Sequence, residues 1–154
     1  MEKWKAPVRE KVYEALGAVA DNRVSVYGNT CKVFSSSGNK FYLIEYDPKT
    51  RAMMSNDNTA YWKGSLSYPM IAYLLKAGIV SYDASIAEEL SGVAWKDLNT
   101  KFKGDFSKTV AVVLDSKNLE VREKIIEEVE RIYGVLLEQE YFLLGSKSKP
   151  PEGY

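Results

Sequence analysis

Hydrophobic positions along the chain follow two grammars. Between Pro7 and Ala20, Val8, Val12, Leu16 and Val19 recur at helical spacing, and Pro7 suits a first turn, so the pattern predicts a helix over 7–20. Gly17 lies in its last turn, where glycine costs about 1 kcal/mol relative to alanine. Asp21-Asn22 ends the pattern. From Arg23 to Lys63 the spacing changes to short β-type runs divided by turn residues. Arg23–Tyr27, Thr30–Ser35 and Lys40–Tyr46 read as strands, separated by Gly28-Asn29 and Ser36-Ser37-Gly38-Asn39. Asp47-Pro48-Lys49-Thr50 is a β-turn with proline at its favoured position. Arg51–Ser55 and Ala60–Lys63 are read as two further strands around the polar loop Asn56-Asp57-Asn58-Thr59. Turns at this spacing predict an antiparallel meander.

Helical spacing returns after Ser67, an N-cap with Pro69 in the first turn, Met70, Ile71, Leu74 and Leu75 as the stripe, and Gly78 beyond the end. The sequence Ser85-Ile86-Ala87-Glu88 fits a capping box and predicts a short helix ending at Gly92. Trp95, Leu98 and Phe102 predict another over 93–103. Thr109–Leu114 is almost unbroken apolar sequence, the pattern of a strand buried on both faces. Asp115-Ser116 then caps a long helix to Tyr133 that Gly134 stops, and Val135–Leu144 returns as a strand. Strand, helix and strand in this order predict a right-handed crossover joining parallel strands. The expected fold class is α+β: an N-terminal helix, an antiparallel β-meander, central helices and a C-terminal strand–helix–strand unit. Residues 1–144 are read as a single domain, and residues 145–154, with Pro150-Pro151 and no apolar cluster, as a mobile tail.

Composition narrows the chemistry. The 154 residues include no histidine and one cysteine, Cys31. Those side chains carry most neutral-pH general base chemistry, thiol chemistry and transition-metal ligation, so catalytic triads, zinc hydrolysis and disulfide exchange fall away. A lone cysteine forms no internal disulfide, the first residues lack the apolar core of a signal peptide, and no apolar run is long enough to span a bilayer. A soluble, cytoplasmic protein is expected. Charge is balanced, 21 basic against 21 acidic residues, without the basic excess typical of nucleic-acid binders. Eleven Tyr and three Trp against five Phe make the aromatic content amphipathic, with rings able to pack while one edge stays wet.

Three clusters invite a functional reading. The segment 39–46 has the aromatic and basic character of an RNA-stacking strand, with Lys40, Tyr42, Ile44 and Tyr46 on one face and Phe41, Leu43 and Glu45 on the other. It lacks the glycines of that motif, and a helix followed by a meander is the wrong order of elements. Trp95, Lys96, Lys101, Phe102, Lys103, Phe106 and Lys108 interleave bases with aromatics, diluted by Asp97 and Asp105. The meander is mildly basic, while residues 115–140 are acidic, so a partner could be steered by the difference. The loop 56–59 offers oxygen ligands but no glycine or terminal glutamate of a calcium loop. The run Leu90–Asn99 is distinctive enough to mark a family.

The leading expectation is a binding or adaptor module without catalytic residues, metal or cofactor, touching a protein or a nucleic acid but no membrane. The residues chosen for that contact are Lys40, Tyr42, Tyr46, Arg51, Tyr61, Trp62 and Lys63. The alternative is a small-molecule site or enzyme pocket between the meander and the central helices, with Glu45 or Asp57 as base and tyrosines as orienting donors.

Overall fold

A computed structural model describes residues 1–152. The architecture is α+β. Helix α1 (Glu10–Ala20) leads into strands β1 (Val24–Tyr27), β2 (Thr30–Phe34), β3 (Phe41–Asp47) and β4 (Ala52–Ser55). A π-helical turn (Thr59–Lys63) precedes α2 (Tyr68–Lys76), α3 (Ala84–Glu88), α4 (Trp95–Lys101), α5 (Phe106–Asp115) and α6 (Leu119–Glu138), and β5 (Phe142–Leu143) follows. The sheet order is β1-β2-β3-β4-β5: four strands form the expected antiparallel meander, and β5 adds to β4 in parallel.

The register decides which sheet face is covered. Val33 lies opposite Tyr42, Cys31 opposite Ile44 and Tyr46 opposite Met53, so these six side chains share one face. All six are buried. Helix α2 lies across that face and α1 packs on α2, with Leu16, Ile71, Leu74 and Leu75 in the same core. The other face carries Tyr27, Lys32, Phe41, Leu43 and Glu45, and its Tyr27, Phe41 and Leu43 are exposed. The N-terminal segment closes the far edge. Buried Trp4 donates its backbone N–H to the Tyr141 carbonyl and its indole N–H to the Met53 carbonyl, each at 2.9 Å.

Three readings of the sequence are corrected. Residues 109–114 form most of helix α5, where Thr109 and Val113, four apart, are buried while Val112 is exposed. An unbroken apolar run carries no period of its own, and the deciding signal was Asp105, whose carboxylate caps the helix at the Lys108 N–H. Helix α6 passes through Gly134 and ends at Glu138, leaving only Phe142–Leu143 of the expected strand 135–144. The stripe Ile125, Val129, Ile132 and Leu136 continues across the glycine, and burying Leu136 outweighs glycine's poor propensity of about 1 kcal/mol. The β4–β5 pair is therefore the parallel one, and the expected crossover between 109–114 and 135–144 does not form. Residues 60–63 belong to the π-helical turn, not to a strand. Beyond β5, residues 145–152 lack regular secondary structure, and the Lys40 ammonium reaches the Pro151 carbonyl at 3.4 Å. The end of the expected tail, Gly153 and Tyr154, lies outside the described residues. Among the described residues no helix is long and apolar enough to cross a membrane.

Glycine 17 has a packing reason. A Cβ there would lie 2.6 Å from Trp95 Nε1 and 3.2 Å from the Leu90 carbonyl, so the bare backbone admits α4 against α1. Gly17→Ala is expected to lower stability by about 1–3 kcal/mol although alanine is the better helix former. Gly134→Ala, with nothing within 4 Å of the new methyl group, is expected to raise it by about 0.5–1 kcal/mol. Urea denaturation of both variants checks the pair, and a gain at both positions would contradict the Trp95 contact.

Burial also sets a pH response. It pushes the Cys31 thiol up from 9.0 to about 12 and raises the phenols of Tyr13, Tyr46, Tyr73 and Tyr141. The folded chain favours the neutral forms of these acids, so their contribution is intact below the unfolded values and is lost as pH rises through the folded ones. The urea midpoint is expected to hold to about pH 9 and fall above it, and a midpoint unchanged to about pH 11 would refute this.

Candidate functional site

The π-helical turn explains how a cavity opens beside the meander. Asp57 is buried at the end of β4 and accepts from Ser55 Oγ at 2.5 Å, Ser67 Oγ at 2.5 Å and the Ala60 N–H at 2.9 Å. Ser67 therefore stands at the N-cap of α2 without capping it, its hydroxyl given to Asp57. Gly64, at φ 64°, ends the π-turn in the left-handed region. The chain thus swings from the end of β4 to the start of α2 around one carboxylate.

The cavity holds about 750 Å³, inside the range of small-molecule sites. It lies between the meander and the central helices, and α2, α4 and α5 all begin in its wall at Tyr68, Trp95 and Phe106. Helix α1 contributes Lys11 and Glu14, the meander contributes Arg23, Ser35, Ser36 and Tyr42, and Lys96, Asn99 and Lys103 come from the 95–104 segment. Four bases, Lys11, Arg23, Lys96 and Lys103, meet two acids, Glu14 and Asp57.

Both acids are engaged. Glu14 Oε1 accepts from Asn99 Nδ2 at 2.7 Å and pairs with Lys11 Nζ at 3.5 Å, where both side chains are more than nine-tenths buried. Lys11 also sits 3.7 Å above the Phe106 ring. Arg23 is differently placed. Its Nη1 donates to the Phe34 carbonyl at 2.7 Å, but among the described residues Nη2 and Nε have no hydrogen-bond partner. Its nearest acid, Asp21, stands 3.7 Å from Nε, and Asp21 lies outside the cavity wall. Burial raises the Tyr68 phenol, and the neighbouring Arg23 charge offsets part of that rise. Asn99 Oδ1 is also buried without a partner. The Trp95 Nε1 lies against Gly17 of α1 and is unpartnered too.

The seven residues expected to form one contact surface are dispersed. Tyr42 is buried and lines the cavity, and Tyr46 is buried with its ring 5.7 Å from that of Tyr73. The expected exposed tyrosine face is therefore the covered face, because its cross-strand neighbours Cys31, Val33 and Met53 are apolar and α1 and α2 need an apolar floor. Lys40 is half-buried; Arg51 is exposed and donates to the Glu140 carbonyl at 3.0 Å, at the opposite end of β4 from the π-turn. Tyr61 and Trp62 meet edge-on at 4.7 Å within that turn, and Trp62 is exposed. The Lys63 ammonium lies 5.7 Å from the Phe106 ring. Of the two carboxylates considered as bases, Asp57 lines the cavity and Glu45 is exposed on the outer sheet face. Residues missed from the sequence are Lys11, Glu14, Arg23 and Asn99. Trp95, Lys96, Lys103 and Phe106 were visible as a basic-aromatic cluster, and the distinctive run Leu90–Asn99 supplies three of the wall residues. Among the described residues no three Cys, Asp or Glu side chains are grouped to hold a metal ion.

Asp57→Ala leaves two hydroxyls and one backbone N–H without their acceptor, so it is expected to cost about 2–4 kcal/mol. Asp57→Asn, which keeps an acceptor, costs less. Urea denaturation of the two variants checks the order, and equal stability of wild type and Asp57→Ala would remove the role given to this carboxylate.

No curated protein and no solved structure matches the chain. Residues 4–141 match the family described as Uncharacterised conserved protein UCP014422, a span that includes every wall residue named above. The chain belongs to the family of uncharacterised conserved proteins UCP014422.

Proposed function

We propose that this protein binds a small molecule in the cavity between the meander and the central helices. The observation that carries the reading is a cavity of about 750 Å³ at which buried polar atoms of Arg23 and Asn99 have no hydrogen-bond partner among the described residues. Buried polar groups are paired in the great majority of cases, and an unpaired group at the wall of a cavity marks where a ligand atom or water belongs. Binding is favoured over catalysis because each wall carboxylate is engaged by its own donors and the chain holds no imidazole.

A second reading places a macromolecular partner on the outer sheet face. It is supported by exposed Tyr27, Phe41 and Leu43, with the Lys32 ammonium 5.0 Å from the Phe41 ring. An amide chemical-shift screen against nucleotides, RNA, single-stranded DNA, divalent ions and a small-molecule fragment set separates the two. Cavity binding is expected to move the signals of Arg23, Ser35, Lys96 and Asn99 together. Shifts confined to Lys32, Phe41 and Leu43 would replace the cavity reading with the surface one.

A further inference from the structure

Among the cavity's charges, Arg23 is incompletely answered. Glu14 is tied to Lys11 and Asn99, and Asp57 to Ser55, Ala60 and Ser67. Neither acid reaches Arg23, whose side chain is 11% exposed and whose Nε stands 3.7 Å from Asp21 Oδ2, beyond hydrogen-bond distance. The Tyr68 hydroxyl lies near the guanidinium but gives Nη2 and Nε no bond of hydrogen-bond geometry. A guanidinium taken out of water with two donors open is held at a cost until an acceptor arrives. Nε and Nη2 lie on the guanidinium edge that takes a planar oxyanion side-on through two parallel N–H···O bonds.

The second open group has the opposite polarity. Glu14 only accepts, so the Asn99 amide must turn its Nδ2 towards it, and the carbonyl oxygen Oδ1 is left buried and unpartnered. Tyr42, Tyr68, Trp95 and Phe106 supply aromatic wall. The bases Lys96 and Lys103 add positive potential to the same space.

Building on the small-molecule reading above, we infer that the ligand is a carboxylate with a planar apolar body, its anionic end on Arg23 and a donor group on the Asn99 carbonyl. The wall has one open guanidinium edge, and the start of α2 is already occupied by Asp57 and carries Pro69, which has no N–H. A phosphate site draws on several backbone N–H groups, so the carboxylate fits this wall better.

The test titrates the full chain with 4-hydroxybenzoate, its neutral amide 4-hydroxybenzamide, and phenyl phosphate, followed by amide chemical shifts. The acid is expected to bind at the cavity residues about tenfold more tightly than the amide. Arg23→Gln is expected to bring the two within about twofold, while Arg23→Lys, which keeps the charge without the fork, retains part of the preference. The acid-to-amide ratio on the unaltered chain decides the matter even where Arg23→Gln does not fold. Equal affinity of acid and amide at the cavity overturns the carboxylate inference and leaves the small-molecule reading standing. Tighter binding of phenyl phosphate than of the acid overturns it in favour of a phosphate ligand. Absence of cavity shifts with all three probes and with the fragment set overturns both.

Discussion

Asp57 ties three separate parts of the chain to one buried carboxylate: the end of β4 through Ser55, the π-turn through Ala60, and the start of α2 through Ser67. A carboxylate removed from water is tolerable only where donors replace its hydration, and these three do so. The consequence is geometric. Helix α2 begins where the sheet ends and lies back across it, so the inner face of the meander is covered and a space opens beside the turn. The other walls inherit their positions from this join, because α1 packs on α2, and Gly17 lets Trp95 bring α4 up to α1.

The cavity's polarity follows from how its charges are shared. In an interior of low effective dielectric, an acid with complete partners adds little field beyond its neighbours, while an incompletely paired base dominates the local potential. Asp57, with donors on both oxygens, is of the first kind; Glu14 is held through Oε1 by Asn99 and Lys11; and Arg23, whose Nε and Nη2 have no hydrogen bond among the described residues, is of the second. That asymmetry supports an anionic ligand. It also supports recognition over proton transfer, since a carboxylate already held by donors, as Asp57 is through both oxygens and Glu14 through Oε1, is poorly placed to take a proton from a substrate.

Much of the fold was legible because period and punctuation agreed. The four meander strands and the start and end of α2 lie where alternation, proline and glycine predicted them, while the short helix α3 is capped by Asp83 rather than Ser85 and ends at Glu88, before Gly92. The failures share a cause. Residues 109–114 are apolar without a period, and whether such a run pairs as a strand or packs as a helix depends on what stands beside it. At Gly134 a local stop signal was outweighed by a buried stripe continuing to Leu136. For the site, residue type was visible but neighbourhood was not: Lys11 lies on α1, Arg23 just before β1 and Asn99 on α4, and nothing local marks them as a group.

By itself the sequence determined the class of object: a mixed α+β chain without histidine, with balanced charge and amphipathic aromatics, whose turns impose an antiparallel meander. Local chemistry suffices for these because turn geometry, capping and alternation act over a few residues. Tertiary structure alone decided which face of β3 is covered and which charges remain unanswered. Alternation assigns Tyr42 and Tyr46 to one side of a strand, but only the apolar neighbours on β2 and β4 and the helices lying over them say whether that side meets water. Likewise an arginine is open or satisfied according to acceptors brought from elsewhere in the chain, and folding supplied Arg23 with one carbonyl and a 3.7 Å ion pair to Asp21 and left Nε and Nη2 without a hydrogen bond among the described residues.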